Sequence, residues 1–197
     1  SVMAPKYAPF PVVASLSGMA LGGGCEMILH SNAVAAHMEC YPGLVEVGVG
    51  LIPAWGGCKE MLIRHLGEKK GSSGGMISNL MATGGAMPAI SKVFEYIATA
   101  KTGMSADDAK EMKILREDDM ISMNRVRVLA DAKARALAMS KDYKAPEPAV
   151  LHLPGATAKV ALSMAVDGFK ATGKATPHDV TVCKLLANVL SGGDTDM

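Results

Sequence analysis

A triplet of glycines that one cysteine separates from a glutamate constrains this chain most, because it fixes how a strand turns into a helix. The apolar, β-branched run Val12–Leu16 predicts a buried strand. Gly18 and the glycines at 22–24 break that strand, and Cys25–Leu29 predicts a short helix. The first N–H groups of such a helix lack intrahelical acceptors and favour negative charge. With Glu26 in the same turn, this segment can stabilise an oxyanion and move a proton side by side.

Composition narrows the function classes. The 197 residues can bury one core, or one core with a helical appendage. A net charge of +1 gives no electrostatic case for binding nucleic acid or an anionic membrane. No apolar run reaches the length of a bilayer span, and no secretory leader is recognisable. The four cysteines have neither CxxC spacing nor the density of a disulfide scaffold, so reduced thiols and a cytoplasmic location are expected.

The texture of the sequence changes along the chain and predicts four regions. Residues 1–66 are punctuated by glycine, as in an α/β layer, and form the expected core. Residues 67–86 are rich in Gly and Ser and predict a mobile loop. Residues 87–143 are predicted to be helical, and residues 144–197 to be a linker followed by helices.

The helical half carries specific start signals. Ser105 precedes two acids and predicts an N-cap, and Val126–Met139 predicts an amphipathic helix. Three prolines predict an extended linker over residues 144–154. Two further helices are predicted over Ala156–Thr172 and Pro177–Leu190, the second capped by Thr176 with proline at its first position.

The motif ALGGGCE, a second glutamate twenty residues later in GLVEVGVGLIP, and the following GG resemble the crotonase (enoyl-CoA hydratase/isomerase) superfamily. FEYIATAKTGMSADDAKEMKIL is similar to a helical segment of that family, although Met112 and Lys113 replace its usual glycine step. The second block and the tail DVTVCKLLANVLSGGD most resemble the hydratase region of large bacterial bifunctional 3-hydroxyacyl-CoA dehydrogenases. The resemblance implies an α/β crotonase-like fold, a spiral of ββα repeats with C-terminal helices.

The same resemblance implies that the chain is an internal fragment, truncated at its N-terminus. The family begins with several strands and a loop that supplies a second oxyanion N–H and much of the CoA adenine pocket. Nothing before Pro11 corresponds to that segment. We therefore expect this chain alone to be weakly active or inactive.

The resemblance also assigns roles to residues. It implies that the Gly23 N–H binds the thioester oxygen, and that Glu26 activates water while Glu46 gives a proton to Cα. The sequence does not decide which glutamate is acid and which is base, and the pair can act as one coupled unit. Residues expected to bind the substrate are Ala20, Leu21, Gly22, Gly24, Leu44, Pro53, Ala54, Trp55 and Gly56. Ala54 and Trp55 stand where the family commonly has glycines.

The function implied is hydration of a 2-enoyl-CoA in fatty-acid β-oxidation. No metal or cofactor is expected in this segment, because the CoA thioester is the substrate; NAD is expected in the dehydrogenase part of the parent. Expected partners are the rest of the parent chain and either a homo-oligomer or a thiolase complex. Two alternatives stay open: a Δ3,Δ2-enoyl-CoA isomerase, which needs one carboxylate, and a non-catalytic scaffold of a β-oxidation complex.

Each residue also has a plainer interpretation. Glu26 alone suits a surface acid matched to the helix dipole, and Glu46 alone is one acid in an apolar, strand-like run. His30 follows Glu26 by one helical turn and suggests a metal pair, but no further ligand completes it, so a buried or rim histidine is the simpler interpretation. A dinucleotide loop is rejected, because GxGxxG is not met in register.

Overall fold

A computed structural model describes residues 2–67 and 85–194, so the predicted Gly/Ser-rich loop lies almost entirely outside the described residues. The described strands are β1 (Val13–Leu21), β2 (Ala33–Gly43) and β3 (Met120–Ser122). The described helices are α1 (Gly23–Leu29), α2 (Gly57–Leu66), α3 (Met87–Ala98), α4 (Ala106–Glu111), α5 (Val128–Met139), α6 (Ala156–Ala171) and α7 (Pro177–Ser191). Two 3-10 turns cover Glu46–Val49 and Arg125–Arg127.

The strands form a parallel sheet in the order β1-β2-β3, and α1 makes the crossover between the first two strands. Pairing runs from Val13 opposite Ala33 to Leu21 opposite Gly43. β2 is the central strand, and its first four residues are at most 2% exposed. This is the α/β architecture that the glycine-punctuated half of the sequence predicted.

Two sequence predictions about the sheet were wrong. The first strand does not end at Gly18 but continues to Leu21, because Gly18 adopts a left-handed φ of 69° at a register shift within the strand. The second error is β3, which lies inside the region predicted to be helical. Three residues give too short a run for an apolar period, so only pairing with β2 identifies that strand.

The helix predictions were confirmed closely. The Ser105 hydroxyl accepts the Asp108 N–H at 3.1 Å, and Thr176 forms a capping box with Asp179 at the start of α7. α5 begins at Val128 rather than Val126, because a 3-10 turn precedes it. Residues 144–154 contain neither helix nor strand, as the prolines predicted.

One hydrophobic core joins the glycine-rich half to the C-terminal helices. Leu29 from α1, Met61 from α2, Ile90 from α3 and Leu186 from α7 are each no more than 1% exposed within it. α7 packs against the 3-10 turn that carries Glu46 and against α2. The helices at the C-terminus are part of the same core as the site.

The buried guanidinium of Arg64 locks the end of α1 to α2. It donates to the main-chain oxygens of Leu29, at 2.9 Å, and Ile114, at 2.6 Å. Burial lowers its pKa to about 10, and the carbonyls compensate for the lost water. Because Leu29 ends α1, this contact fixes the helix that carries Glu26.

Candidate active site

Glu26 is held by the beginning of a different helix. Its side chain is buried, and Oε1 accepts the main-chain N–H groups of Trp55 and Gly57, each at 2.9 Å. These N–H groups belong to the N-terminus of α2, where a negative charge is favoured. The interpretation of Glu26 as a surface acid was therefore wrong. A Cβ at Gly57 would lie 3.0 Å from Cγ and Oε1 of Glu26, so only glycine allows this approach.

Glu46 has a different environment. It begins a 3-10 turn rather than continuing a strand-like run, and Gly50 ends that turn with a left-handed φ of 80°. Its Oε2 is buried and has no hydrogen-bond partner among the described residues. Burial raises the pKa of the Glu46 carboxyl, and the negative charge of Glu26 raises it further. The two carboxyl groups therefore interact, and their environments differ in kind.

The glycine turn lies between these groups. Gly22 has a left-handed φ of 54°, and a Cβ there would lie 3.4 Å from Oε1 of Glu46. Gly23 is the first residue of α1, so its N–H has no acceptor within the helix. The structure thus brings Gly23, Glu26 and Glu46 together around one turn.

The Trp55 indole covers Gly23. A Cβ at Gly23 would lie 3.1 Å from Cζ3 of that ring, although the tryptophan is 58% exposed overall. Trp55 therefore contacts both halves of the site: its N–H binds Glu26 and its ring shields the glycine. It is also the single tryptophan of the chain, which makes it a fluorescent reporter of this site.

The residues expected to bind substrate fall into three groups. Leu44 and Pro53 are buried, so they pack beneath the surface. Leu21, Gly24, Ala54 and Trp55 are exposed, whereas Gly22 and Gly56 are intermediate. Ala20 and Gly24 line a largely apolar cleft of about 360 Å³ between β1 and α1. Neither glutamate lines that cleft, so it adjoins the carboxyl pair without containing it.

The metal interpretation of His30 gains no support from the described residues, where no cluster of His, Cys, Asp or Glu has the arrangement of a metal site. The His30 ring is fully buried and contacts the main-chain oxygen of Glu26, not its carboxylate. All four cysteines are free, and burial raises the pKa of Cys25 and Cys58 to about 12. Both thiols near the glutamates therefore stay protonated.

Sequence reasoning missed a buried charged cluster next to the site. Lys6 pairs with Glu60 at 2.7 and 2.9 Å, and Lys59 lies 3.1 Å from the same carboxylate. Burial alone would raise the pKa of Glu60, but hydrogen bonds and charge from the two lysines hold it below its ordinary value. Lys6 and Glu60 are 54 residues apart, and no local pattern signals their contact.

The family comparison agrees with this geometry. Residues 3–87, which include both glutamates and the glycine turn, match the family model described as enoyl-CoA hydratase/isomerase. These residues are thus similar to the enoyl-CoA hydratase/isomerase family. The crotonase resemblance is therefore confirmed.

Two relatives of this crotonase segment are much longer than the chain. A "Probable 3-hydroxyacyl-CoA dehydrogenase" of Bacillus subtilis is 40% identical over 194 residues, which are 98% of this chain but 23% of the relative. A "Putative fatty acid oxidation complex trifunctional enzyme" of Rickettsia felis is 50% identical over 64 residues, covering 32% of this chain and 9% of the relative. The chain thus spans less than a quarter of either protein.

A solved structure supports the crotonase fold. The enoyl-CoA hydratase of Bacillus anthracis superimposes with a TM-score of 0.51 at 20% identity, covering 96% of this chain and 57% of that one. At this identity the likeness concerns the fold alone. Among the described helices, none combines the length and apolar character needed to cross a bilayer.

Proposed function

We propose that this chain is the enoyl-CoA hydratase segment of a longer fatty-acid β-oxidation enzyme. The observation that carries the proposal is the pair of carboxyl groups at one glycine turn. Glu26 is fixed by two N–H donors, whereas Glu46 is half-buried with a raised pKa. Adding water needs one group to take a proton and one to give a proton, and contrasting environments divide these tasks.

The reaction adds water to the same face of both carbons of the 2-enoyl double bond. The water oxygen bonds to Cβ, one water proton passes to a carboxylate, and a proton from a carboxylic acid bonds to Cα. Negative charge collects on the thioester oxygen between these events, and the Gly23 N–H is positioned to stabilise it. One such donor contributes roughly 2.7–4 kcal/mol to the transition state in other enzymes.

The structure favours one division of roles. Glu46 is suited to donate the proton to Cα, because burial and the charge of Glu26 both favour its protonated form. Glu26 then takes the proton from water, with its Oε1 held by the N–H groups of Trp55 and Gly57. Since the groups interact, their titration belongs to the pair.

One contact favours the scaffold alternative. The Trp55 ring lies against Gly23, where the thioester oxygen would bind. Displacement of this exposed side chain would widen access to the glycine, and a site that never opens would be a scaffold. The nearby side chains of Leu21, Met27 and Leu51 are also exposed and apolar, and they suit an acyl chain.

The parent enzyme is part of the proposal. Because the Bacillus subtilis relative is named a probable dehydrogenase and is far longer, we expect this segment to follow a 3-hydroxyacyl-CoA dehydrogenase part. NAD would bind that other part, whereas this segment would need no cofactor beyond the CoA thioester itself. The remainder of the parent chain is the expected partner, within a homo-oligomer or a thiolase complex.

The decisive experiment follows the loss of crotonyl-CoA absorbance. It compares the 197-residue chain, the longer parent polypeptide, and the parent with Glu46→Gln. Hydration by the parent that disappears in the variant supports the proposal, with Glu147→Gln in the exposed linker as the matched control. A parent that binds the thioester without hydrating it overturns the hydratase role. Isomerisation of a 3-enoyl-CoA then separates isomerase from scaffold.

A further inference from the structure

The buried imidazole of His30 is not used by the proposed reaction, yet it contacts the main chain of Glu26. His30 follows the last residue of α1 and is 0% exposed. Its Nδ1 lies 2.7 Å from the main-chain oxygen of Glu26. A carbonyl oxygen only accepts hydrogen bonds, so Nδ1 carries a proton and donates it. This hydrogen bond joins the imidazole to the main chain of Glu26.

The other edge of the same ring supports the start of α2. A Cβ at Gly56 would lie 3.0 Å from both Cε1 and Nε2 of His30, so glycine backbone rests directly on the imidazole. Gly56 is the N-cap of α2, and its neighbours Trp55 and Gly57 donate to the Glu26 carboxylate. The ring therefore helps to set the distance between the two N–H donors and the Glu26 carboxylate that accepts them.

A third contact fixes α2 on the far side of the ring. Nε2 of His30 has no hydrogen-bond partner among the described residues and faces Oε1 of Glu60 at 3.7 Å. Glu60 lies one turn into α2 and is anchored by Lys6 and Lys59. The imidazole is thus enclosed between α1 and α2 and cannot move without moving one of them.

From these contacts we propose that His30 is a positioning residue for Glu26. The imidazole holds the glutamate main chain through Nδ1 and carries Gly56 on its opposite edge, so it sets where the carboxylate meets the N–H groups of Trp55 and Gly57. The catalytic part of this inference rests on the proposed hydratase function. The positional part does not, because it concerns contacts within the chain.

Two variants separate the hydrogen bond from the ring. His30→Phe keeps a ring beneath Gly56 but removes the donor, whereas the amide nitrogen of His30→Asn takes the place of Nδ1 and leaves space under Gly56. His152→Asn is the matched control, because His152 is exposed in the linker. Glu26→Ala provides the reference in which the acceptor of both N–H groups is gone.

The first measurement uses the 197-residue chain and requires no activity. Amide proton resonances of Trp55 and Gly57 should lie downfield in the native chain, because each N–H donates to a carboxylate. His30→Phe should move both resonances toward their Glu26→Ala positions, and His30→Asn should move them less. His152→Asn should leave both unchanged. Native resonance positions in both His30 variants would overturn the inference.

The second measurement tests the catalytic consequence in the parent polypeptide. His30→Phe should lower kcat for crotonyl-CoA hydration by about 100-fold while KM changes little, as expected when a reacting group is displaced by about 1 Å. His30→Asn should recover part of the loss. Unchanged kcat despite shifted amides would overturn the catalytic part. A native parent without hydration, alongside shifted amides, would overturn the proposed function and leave His30 as the support of Glu26.

Discussion

The surroundings of the two glutamates differ although both residues stand at a glycine turn. Glu26 belongs to a helix that Arg64 and His30 fix at its end, and its carboxylate accepts two N–H groups. Glu46 begins a four-residue 3-10 turn whose next-to-last and last residues, Gly48 and Val49, are exposed. The Glu26 carboxylate is held in place by directed hydrogen bonds, whereas the position of the Glu46 carboxyl group depends on burial and a short turn.

One residue type can therefore serve two purposes at this site. Donors aimed at an oxygen fix a carboxylate in place, whereas burial without a complete set of partners favours the neutral acid. The charge of Glu26 strengthens the second effect at Glu46. The proposed division of roles therefore rests on the surroundings of the two carboxyl groups, and changing those surroundings should alter it.

The largest effect is expected from removing either carboxyl group. Glu26→Gln and Glu46→Gln should each lower crotonyl-CoA hydration by the parent polypeptide by about 10²–10⁴-fold, the usual contribution of a general acid or base. The losses in rate caused by groups that act as a unit are not additive, so the double variant should be little slower than the less active single variant. Steady-state kinetics of the three variants measure this. Multiplicative losses would show two independent groups instead of a pair.

A smaller effect should follow from moving Glu26 without removing it. In Gly57→Ala, the new methyl group would lie 2.8 Å from Leu44 and 3.0 Å from Glu26, so the carboxylate must shift. A displacement of about 1 Å should cost about 100-fold in kcat. Gly168→Ala is the control, because an added Cβ there has no neighbour within 4 Å. It should leave kcat unchanged. Native kcat in Gly57→Ala would show that Glu26 tolerates displacement.

A pH titration of stability compares the environments without any substrate. The pKa of Glu46 in the folded chain is raised above its ordinary value of 4.5. Below pH 4.5 the carboxyl group is protonated in both the folded and unfolded states, so its ionisation does not affect stability. As pH rises from 4.5 through the folded pKa, the unfolded chain loses this proton more readily, and the fold is destabilised. The unfolding free energy of the native chain, relative to Glu46→Gln, should therefore fall over that window. Its slope is at most about 1.4 kcal/mol per pH unit for one proton.

Glu60 supplies the opposite sign in the same experiment. Its folded pKa is lowered, so its contribution is complete above the ordinary value of 4.5 and is lost as pH falls through the folded pKa. Urea unfolding of the native chain, Glu46→Gln and Glu60→Gln at several pH values separates the two carboxyl groups. If the unfolding free energy of the native chain rose with pH relative to that of Glu46→Gln, the burial argument would be contradicted.

Local chemistry made half of this site predictable. The glycine turn, the helix after it and the caps at Ser105 and Thr176 depend on residues within a few positions, and such signals are visible in sequence. The order of Gly23, Glu26 and Glu46 was enough to reach the crotonase family. Their shared location was an implication of the resemblance, and the structure now supplies the contacts.

Contacts between distant residues were the part that sequence did not contain. Nothing in Trp55 or Gly57 indicates that their N–H groups bind Glu26, because any non-proline residue carries the same donor. Lys6 and Glu60 likewise look like ordinary surface charges until the fold buries them together. β3 escaped for the same reason, since its identity depends on its partner strand.

The smallest effect concerns the turn of Glu46 and its contact with the C-terminal helix. His178 lies near the start of α7, and its Nε2 is 3.3 Å from the main-chain oxygen of Gly50. A Cβ at Gly50 would lie 2.9 Å from the same Nε2. His178→Ala should loosen this end of the turn and lower kcat a few-fold, because a single exposed hydrogen bond contributes about 1 kcal/mol. His178→Gln, whose amide can donate to the same oxygen, should restore most of the rate. Equal losses in the two variants would mean that the ring packs against Gly50 rather than holding its carbonyl, and that packing, including burial of Val47, positions the turn.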